Sequence, residues 1–319
     1  MHEFLNGFAA AVVTNRTLVW TYSKQGGRVS PGSLNECGAL LHRKAWIHGE
    51  EVIAGKRVHG FDWHGPGSAT DPRRAQKPMA CTGLEYADAE HEVINLGVTE
   101  QFESFALAAE DARLSPQAKY RAKLLFAQGP GLAFGTLFRK AFEFDDAKVT
   151  EATKKQMRTA ALLDSNGNRI PNSYLIGLQI RAQGDLSQSR IAMYTKSLVE
   201  YMNQNHTSDR RCGVLLASDT DHVADIFAPV IAGHNCTMVR SIYDETSTSW
   251  SSEHGKHCSA GALRDLDLLS HSDALIISCG STFSQSCAEQ MLSRNPHAAL
   301  TVIGCGSELQ KEPSFTVGC

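Results

Sequence analysis

The sequence has no real excess of either charge: 31 Lys and Arg stand against 34 Asp and Glu, for a formal net charge of −3. This excludes the electrostatic footprint of a chain built for nucleic acid or for an anionic membrane surface. It has no apolar run approaching the ~20 residues that span a bilayer, and no leader-like segment precedes its first helical pattern. It has no Cys-x-x-Cys pair, so its nine cysteines do not spell a zinc site, and they are too scattered for a disulfide scaffold. Several lie in apolar runs and read as buried thiols, with room for a disulfide or two. It also lacks internal repeats and low-complexity tracts. With 42% hydrophobic and 20% charged residues over 319 positions, it is a globular chain of two domains or one large one.

Three Asn-x-Thr sequons begin at Asn15, Asn205 and Asn235. They permit passage through a secretory lumen, although the pattern also arises by chance. The first is expected at a helix–strand junction and buried.

What is present is an alternation of strand and helix patterns, the mark of a doubly wound α/β fold. Phe4, Leu5, Phe8, Ala11 and Val12 put a helical stripe at the very start, so a strand and loop, and with them a membrane anchor, are expected upstream. Strands are predicted near 17–20, 45–47, 58–61 and 93–96, and helices near 99–113, 115–127, 131–142 and 147–163. Asp164 to Asn168 then spells a turn. Beyond it the periodicity predicts strands at 174–181, 213–218, 236–240, 274–279 and 299–303. Helices are predicted at 188–204, 220–232, 260–270 and 282–293, with a polar loop over 241–257. The expected domains are 1–145, a linker over 146–172, and a nucleotide-binding domain over 173–319.

Three segments carry chemistry. Tyr174 to Ile180 is an apolar run that ends in Arg181, and ligands collect beyond the carboxyl ends of such strands. An arginine there is a planar fork of donors suited to a diphosphate, or a surface residue in a salt bridge. The second segment runs from Asp265 to Ser284: helix, turn, buried strand, then Gly280-Ser281-Thr282 opening another helix. A helix N-terminus holds phosphate through its N–H groups, and Ser281 and Thr282 add hydroxyls; the same residues also serve as ordinary N-caps. The third is Val214 to Asp221, where Ser218 and Asp219 either meet a ribose or base edge or cap the next helix.

Together these segments resemble the fucosyltransferase superfamily, and most closely the plant-type xyloglucan fucosyltransferases. The shared pattern is Ile176-Gly177-Leu178-Gln179-Ile180-Arg181, then Asp265, Leu268-Leu269-Ser270, Asp273, Leu275-Ile276-Ile277 and Ser281-Thr282-Phe283. Phe8 to Trp20 also looks like the first helix and second strand of these enzymes. The glycine-rich loop and strand that precede that helix in the family have no counterpart here, and its acceptor loops find no match over 23–90.

The resemblance implies a GT-B-like α/β fold of two Rossmann-like domains with parallel sheets. It implies an inverting transfer of fucose from GDP-fucose to a sugar hydroxyl of a glycan, without a metal or other cofactor, in the Golgi lumen. Arg181 would hold the β-phosphate, Asp265 would read guanine or ribose, and Ser281, Thr282 and Phe283 would line the pyrophosphate and base. Gln179, Ser218 and Asp219 complete the expected donor site. A catalytic base would come from the first domain, where Glu36, His42, His59, Asp62 and His64 are candidates. Two alternatives stand beside this reading: a non-catalytic nucleotide-binding relic, and a transferase that uses another GDP-sugar.

Other patterns are weaker. Asp265 and Asp267 spell Asp-x-Asp, but on a helix i and i+2 do not share a face. Asp219-Thr220-Asp221 follows a strand and keeps a metal-dependent alternative open. Asp164 to Asn168 imitates a calcium loop with its glycine misplaced and no Glu at the twelfth position. Gly129-Pro130-Gly131 lacks the Lys-Ser/Thr of a phosphate loop, His254 to Cys258 reads as a polar loop, and no G-x-S-x-G surrounds Ser281.

Overall fold

The structure of the chain is a computed structural model. It describes residues 115–144, 149–160, 162–182, 186–205, 211–220, 222–240 and 260–304, and, upstream, 5, 8, 9, 11–13, 15, 19–20, 41–43, 47–48, 58–59 and 93–94. The predicted helix near 99–113 and the loop over 241–257 lie outside these residues.

Two compact units divide the chain at Ala141 and Phe142, with Leu41 and His42 assigned to the second. In the first, Leu5, Ala9 and Val13 are buried on one face of a helical segment, as their spacing dictates. Asn15 ends that segment with a left-handed φ of 57° and is exposed, where the sequence suggested a buried sequon. Val19–Trp20 pairs parallel with Ile47–His48, and Val58–His59 with Val93–Ile94. Helix α1 (Pro116–Phe126) starts on a Ser115 cap with proline in its first turn. Gly129, at φ 92°, separates it from α2 (Pro130–Ala141).

In the second unit, α3 (Glu151–Thr159) is shorter than its apolar pattern suggested. Leu162 to Ile170 folds back instead: Asp164 Oδ1 accepts the amides of Asn166 and Asn168 at 2.9 and 2.8 Å, so this segment is an Asx-type turn. Then come β1 (Ser173–Ile180), α4 (Gln188–Asn205), β2 (Arg211–Ser218), α5 (His222–Gly233) and β3 (Cys236–Arg240). They are followed by α6 (Ala260–Leu269), β4 (Ala274–Ser278), α7 (Thr282–Arg294) and β5 (Ala299–Ile303).

The five strands form one parallel sheet in the order β5-β4-β1-β2-β3. Burial follows position. The inner strands β1 and β4 are buried almost throughout, because helices cover both faces, whereas the edge strand β3 alternates. On one face Ile176, Leu178, Ile180, Val214, Leu216 and Ile276 meet Tyr194, Leu198 and Met202 of α4 and Phe227 and Ile231 of α5. The Tyr194 and Phe227 rings meet edge to face at 6.4 Å. The other face is set by Gly177, where an added Cβ would lie 2.5 Å from Leu275 Cδ1 and 3.2 Å from Leu269 Cδ2. Only glycine lets the end of α6 settle so close to β1.

The amino-terminal edge of the sheet is pinned separately. Arg169 forms a two-pronged ion pair with Asp273, whose Oδ2 also accepts the Leu175 amide at 2.8 Å. Cys212 and Cys236, partners in the β2–β3 register, form a disulfide. Cys279 is also disulfide-bonded, and Cys287 is a buried free thiol.

Candidate functional site

The strand order creates one special position. The chain winds outward from β1 through β2 to β3, then returns to the opposite side of β1 with β4 and continues to β5. The loops leaving β1 and β4 therefore diverge onto opposite faces, and a crevice opens between the carboxyl ends of these neighbours. Arg181 and Ala182 leave β1 there; Cys279, Gly280 and Ser281 leave β4. Strand spacing puts the two ends about 5 Å apart.

The backbone at Arg181 is fixed from three sides. Its amide donates to Ser278 Oγ, at the end of β4, at 2.7 Å. That hydroxyl lies 2.6 Å from the Tyr194 hydroxyl of α4, and both groups are buried. The Arg181 carbonyl accepts from Arg190 Nη2 at 3.0 Å. Asp219, just past β2, closes the arrangement: its Oδ1 accepts the Ala182 amide at 2.7 Å and its Oδ2 lies 3.3 Å from Arg181 Nη1. The Arg181 side chain stays 41% exposed, so it is oriented by a carboxylate yet open to solvent.

The β4 side opens a helix through a glycine turn. Gly280 turns at φ 70°, a conformation that favours glycine, and delivers the chain into α7. Ser281 is the N-cap: its Oγ accepts the Ser284 amide at 3.3 Å. By helix geometry the amides of Thr282 and Phe283 have no carbonyl partner within α7, and the positive end of the dipole lies there. Ser284 Oγ donates to Gln179 Oε1 in the buried interior, tying the first turn of α7 to β1.

The expected site residues thus separate. Arg181, Asp219 and Ser281 come together at the crevice, with Gln179 beneath them as a buried cross-brace. Ser218 Oγ accepts the Thr220 amide at 3.3 Å, a local turn contact beside the crevice. Phe283 is half-buried in the first turn of α7; the Thr282 side chain lies outside the described residues, as does Asp221. Asp265 is buried within α6, facing α7 closely enough for its charge to act on Cys287. Its neighbour Asp267 is buried too, in an ion pair with Arg294 at 2.9 Å. Burial by itself would raise the Asp267 carboxyl, but His271, Arg294 and Thr153 outweigh it and hold the group below its ordinary value. Of the base candidates, His42 and His59 fall in the short strands of the first half, while Glu36, Asp62 and His64 lie outside the described residues. No cluster of metal-ligating side chains occurs among the described residues, and none of their helices is long and apolar enough to cross a membrane.

Sequence reasoning missed Ser278, Tyr194, Arg190 and Ser284, the residues that hold the site in shape. Ser278 was legible as a polar residue ending an apolar strand. Tyr194 carried no signal beyond its helical spacing, which reads equally as core.

No family model matches the chain, and no curated protein does. Solved structures do. The crystal structure of NodZ alpha-1,6-fucosyltransferase soaked with GDP-fucose superposes with a TM-score of 0.54 at 15% identity, covering 98% of this chain and 94% of that one. The same enzyme co-crystallised with GDP gives 0.50 at 16% identity, covering 90% and 87%. A further structure, fucosyltransferase NodZ from Bradyrhizobium, gives 0.49 at 17%, covering 90% and 88%. At these identities the likeness is one of fold: α/β, GT-B-like, with a parallel sheet.

Proposed function

We propose that the protein is an inverting, metal-independent glycosyltransferase that moves fucose from GDP-fucose to a sugar hydroxyl of a glycan acceptor. The observation that carries this reading is the Arg181 guanidinium, oriented by Asp219 at the sheet's switch point beside the N-terminus of α7. Transfer breaks the bond between the fucose C1 and the β-phosphate oxygen, whose electron pair leaves with GDP. The acceptor hydroxyl attacks C1 from the opposite face and gives up its proton. The developing charge is on the diphosphate, so fixed donors aimed there lower the barrier. Arg181 offers a bidentate fork, and the first amides of α7 add the positive dipole end. In this reading Asp265 reads the guanine or ribose, and Ser218, Ser281, Thr282 and Phe283 line the donor. The acceptor half and its base belong to the domain over 1–145, with 146–172 as linker and 173–319 as the donor domain, and the reaction runs in the Golgi lumen. The fold shared with an enzyme crystallised with GDP and GDP-fucose supports the choice of donor.

Isothermal calorimetry of GDP and GDP-fucose in the presence of EDTA tests the reading. Micromolar binding by wild type, lost in Arg181→Ala at unchanged folded content, is the expected result. No binding by folded wild type would sink the donor assignment, and binding that requires a divalent cation would sink the metal-free mechanism.

A further inference from the structure

We infer that Asn235 is an N-glycosylation site, carrying an oligosaccharide on the edge of the sheet opposite the nucleotide crevice. Of the three sequons, Asn235-Cys236-Thr237 is the one described in full. Asn235 occupies the tight turn from α5 into β3, at φ 56°, with its amide bonded to the Ala232 carbonyl at 3.0 Å. Asn235 and Thr237 are both exposed, while Cys236 between them turns inward to its bridge. The acceptor amide and the hydroxyl that marks the sequon therefore face solvent together. β3 is also the edge strand of its sheet, so a bulky glycan meets no sixth strand among the described residues.

The disulfides supply the independent observation. Bridges persist in oxidising compartments, and those are where N-glycans are attached. Two are present, Cys212–Cys236 and the one at Cys279, and the first closes within the sequon itself. Position also makes the modification compatible with a working crevice. Cys236 lies in register with Cys212 and through it with Tyr174, at the start of β1. Arg181 follows the far end of that strand, seven residues on, or roughly 23 Å.

The co-substrate is a lipid-linked oligosaccharide diphosphate. A bond forms between Asn235 Nδ2 and the reducing-end C1 of the sugar, and the bond between that carbon and the diphosphate oxygen breaks. The electron pair leaves with the lipid diphosphate, and one amide proton is lost to solvent.

The test is mass spectrometry of the full chain secreted from insect cells behind a cleavable leader. A non-reduced digest first identifies molecules that carry the Cys212–Cys236 bridge and have therefore folded in the lumen. Peptide-N-glycosidase in heavy-oxygen water then converts a glycosylated Asn235 to aspartate with one heavy oxygen. Most bridged molecules are expected to carry the label, Thr237→Ala to abolish it and Thr237→Ser to retain it. Bridged molecules with unlabelled Asn235 would overturn the inference, as would a label that survives Thr237→Ala.

Discussion

The Ser278 hydroxyl is shared between the Tyr194 hydroxyl, at 2.6 Å, and the Arg181 amide, at 2.7 Å. One buried oxygen thus joins a helix on one face of the sheet to the backbone of the residue best placed to meet an anion. It also ties the ends of β1 and β4 to each other.

Removing that oxygen strands two polar groups. Ser278→Ala leaves the Arg181 amide and the Tyr194 hydroxyl without it in a buried setting, at a cost of about 1–3 kcal/mol. Tyr194→Phe leaves Ser278 bonded to Arg181 and should cost ~1 kcal/mol. Urea denaturation of the two variants checks the ranking. Equal losses would mean that Ser278 does not bridge.

Asp219 orients Arg181 more than it stabilises the fold. Asp219→Asn keeps an oxygen for the Ala182 amide but removes the charge opposite Arg181. Folding stability should move by ~1 kcal/mol, because the guanidinium end of the pair is open to solvent and the amide keeps its oxygen. If Asp219 holds the guanidinium for a diphosphate, GDP affinity should weaken by up to about fivefold, the same ~1 kcal/mol expressed in binding. Titration calorimetry reads the second effect and denaturation the first. Tighter GDP binding would show that Asp219 competes with the ligand.

Gly177 is a packing requirement. A methyl group there would sit 2.5 Å from Leu275 Cδ1 and 2.6 Å from Ser272 Oγ, in the middle of the central strand. Gly177→Ala should cost roughly 1–3 kcal/mol through overpacking. A thermal melt with an unchanged midpoint would show that the end of α6 shifts without penalty.

Two buried carboxyls on neighbouring helices should give opposite pH signatures. Burial pushes Glu289, inside α7, well above its ordinary pKa of 4.5, and Gln285 offsets only part of this. Folding then requires a proton, so its contribution is fully present below about pH 4.5 and is lost as pH rises toward the folded value. Glu289→Gln should therefore gain stability relative to wild type between pH 4.5 and 8. Asp267 runs the other way. Its lowered carboxyl contributes above its ordinary value of 3.8, and the contribution is lost as pH falls through the lower folded value. Arg294→Met should cost up to about 3–5 kcal/mol at neutral pH, because it leaves the buried Asp267 carboxylate without its guanidinium. That cost should shrink below pH 3.8. Denaturation midpoints across pH 3–8 test both, and parallel wild-type and variant curves would reject the assignments.

The second half of the chain was legible almost residue by residue. β3 and β5 coincide with the expected ranges, and the other strands and helices there differ by a residue or two at their ends. Apolar runs of four to eight residues between turn signals have few other structures open to them, and both faces of the inner strands are covered. The exceptions were local competitions. The helix expected over 147–163 stops at Thr159 because the Asp164 turn captures the chain behind it. Ser281 takes the N-cap place that its residue type allowed, with its hydroxyl on the Ser284 amide. Asp273, part of the recognised pattern, pairs with Arg169 at the edge of the sheet away from Arg181.

What the sequence determined by itself was the alternation of elements and the position of a lone arginine at the end of a buried strand, since both follow from short-range periodicity and side-chain chemistry. Which strand lies beside β1 was decided by the tertiary structure, because a parallel partner arrives only after a long crossover and nothing local names it. That choice of β4 creates the crevice and brings Ser278 under the Arg181 backbone, while pairing with β2 on the other side of β1 sets Asp219 beside its guanidinium. Contacts across 84 and 97 residues of sequence carry no periodic signature; they exist only once the sheet is ordered.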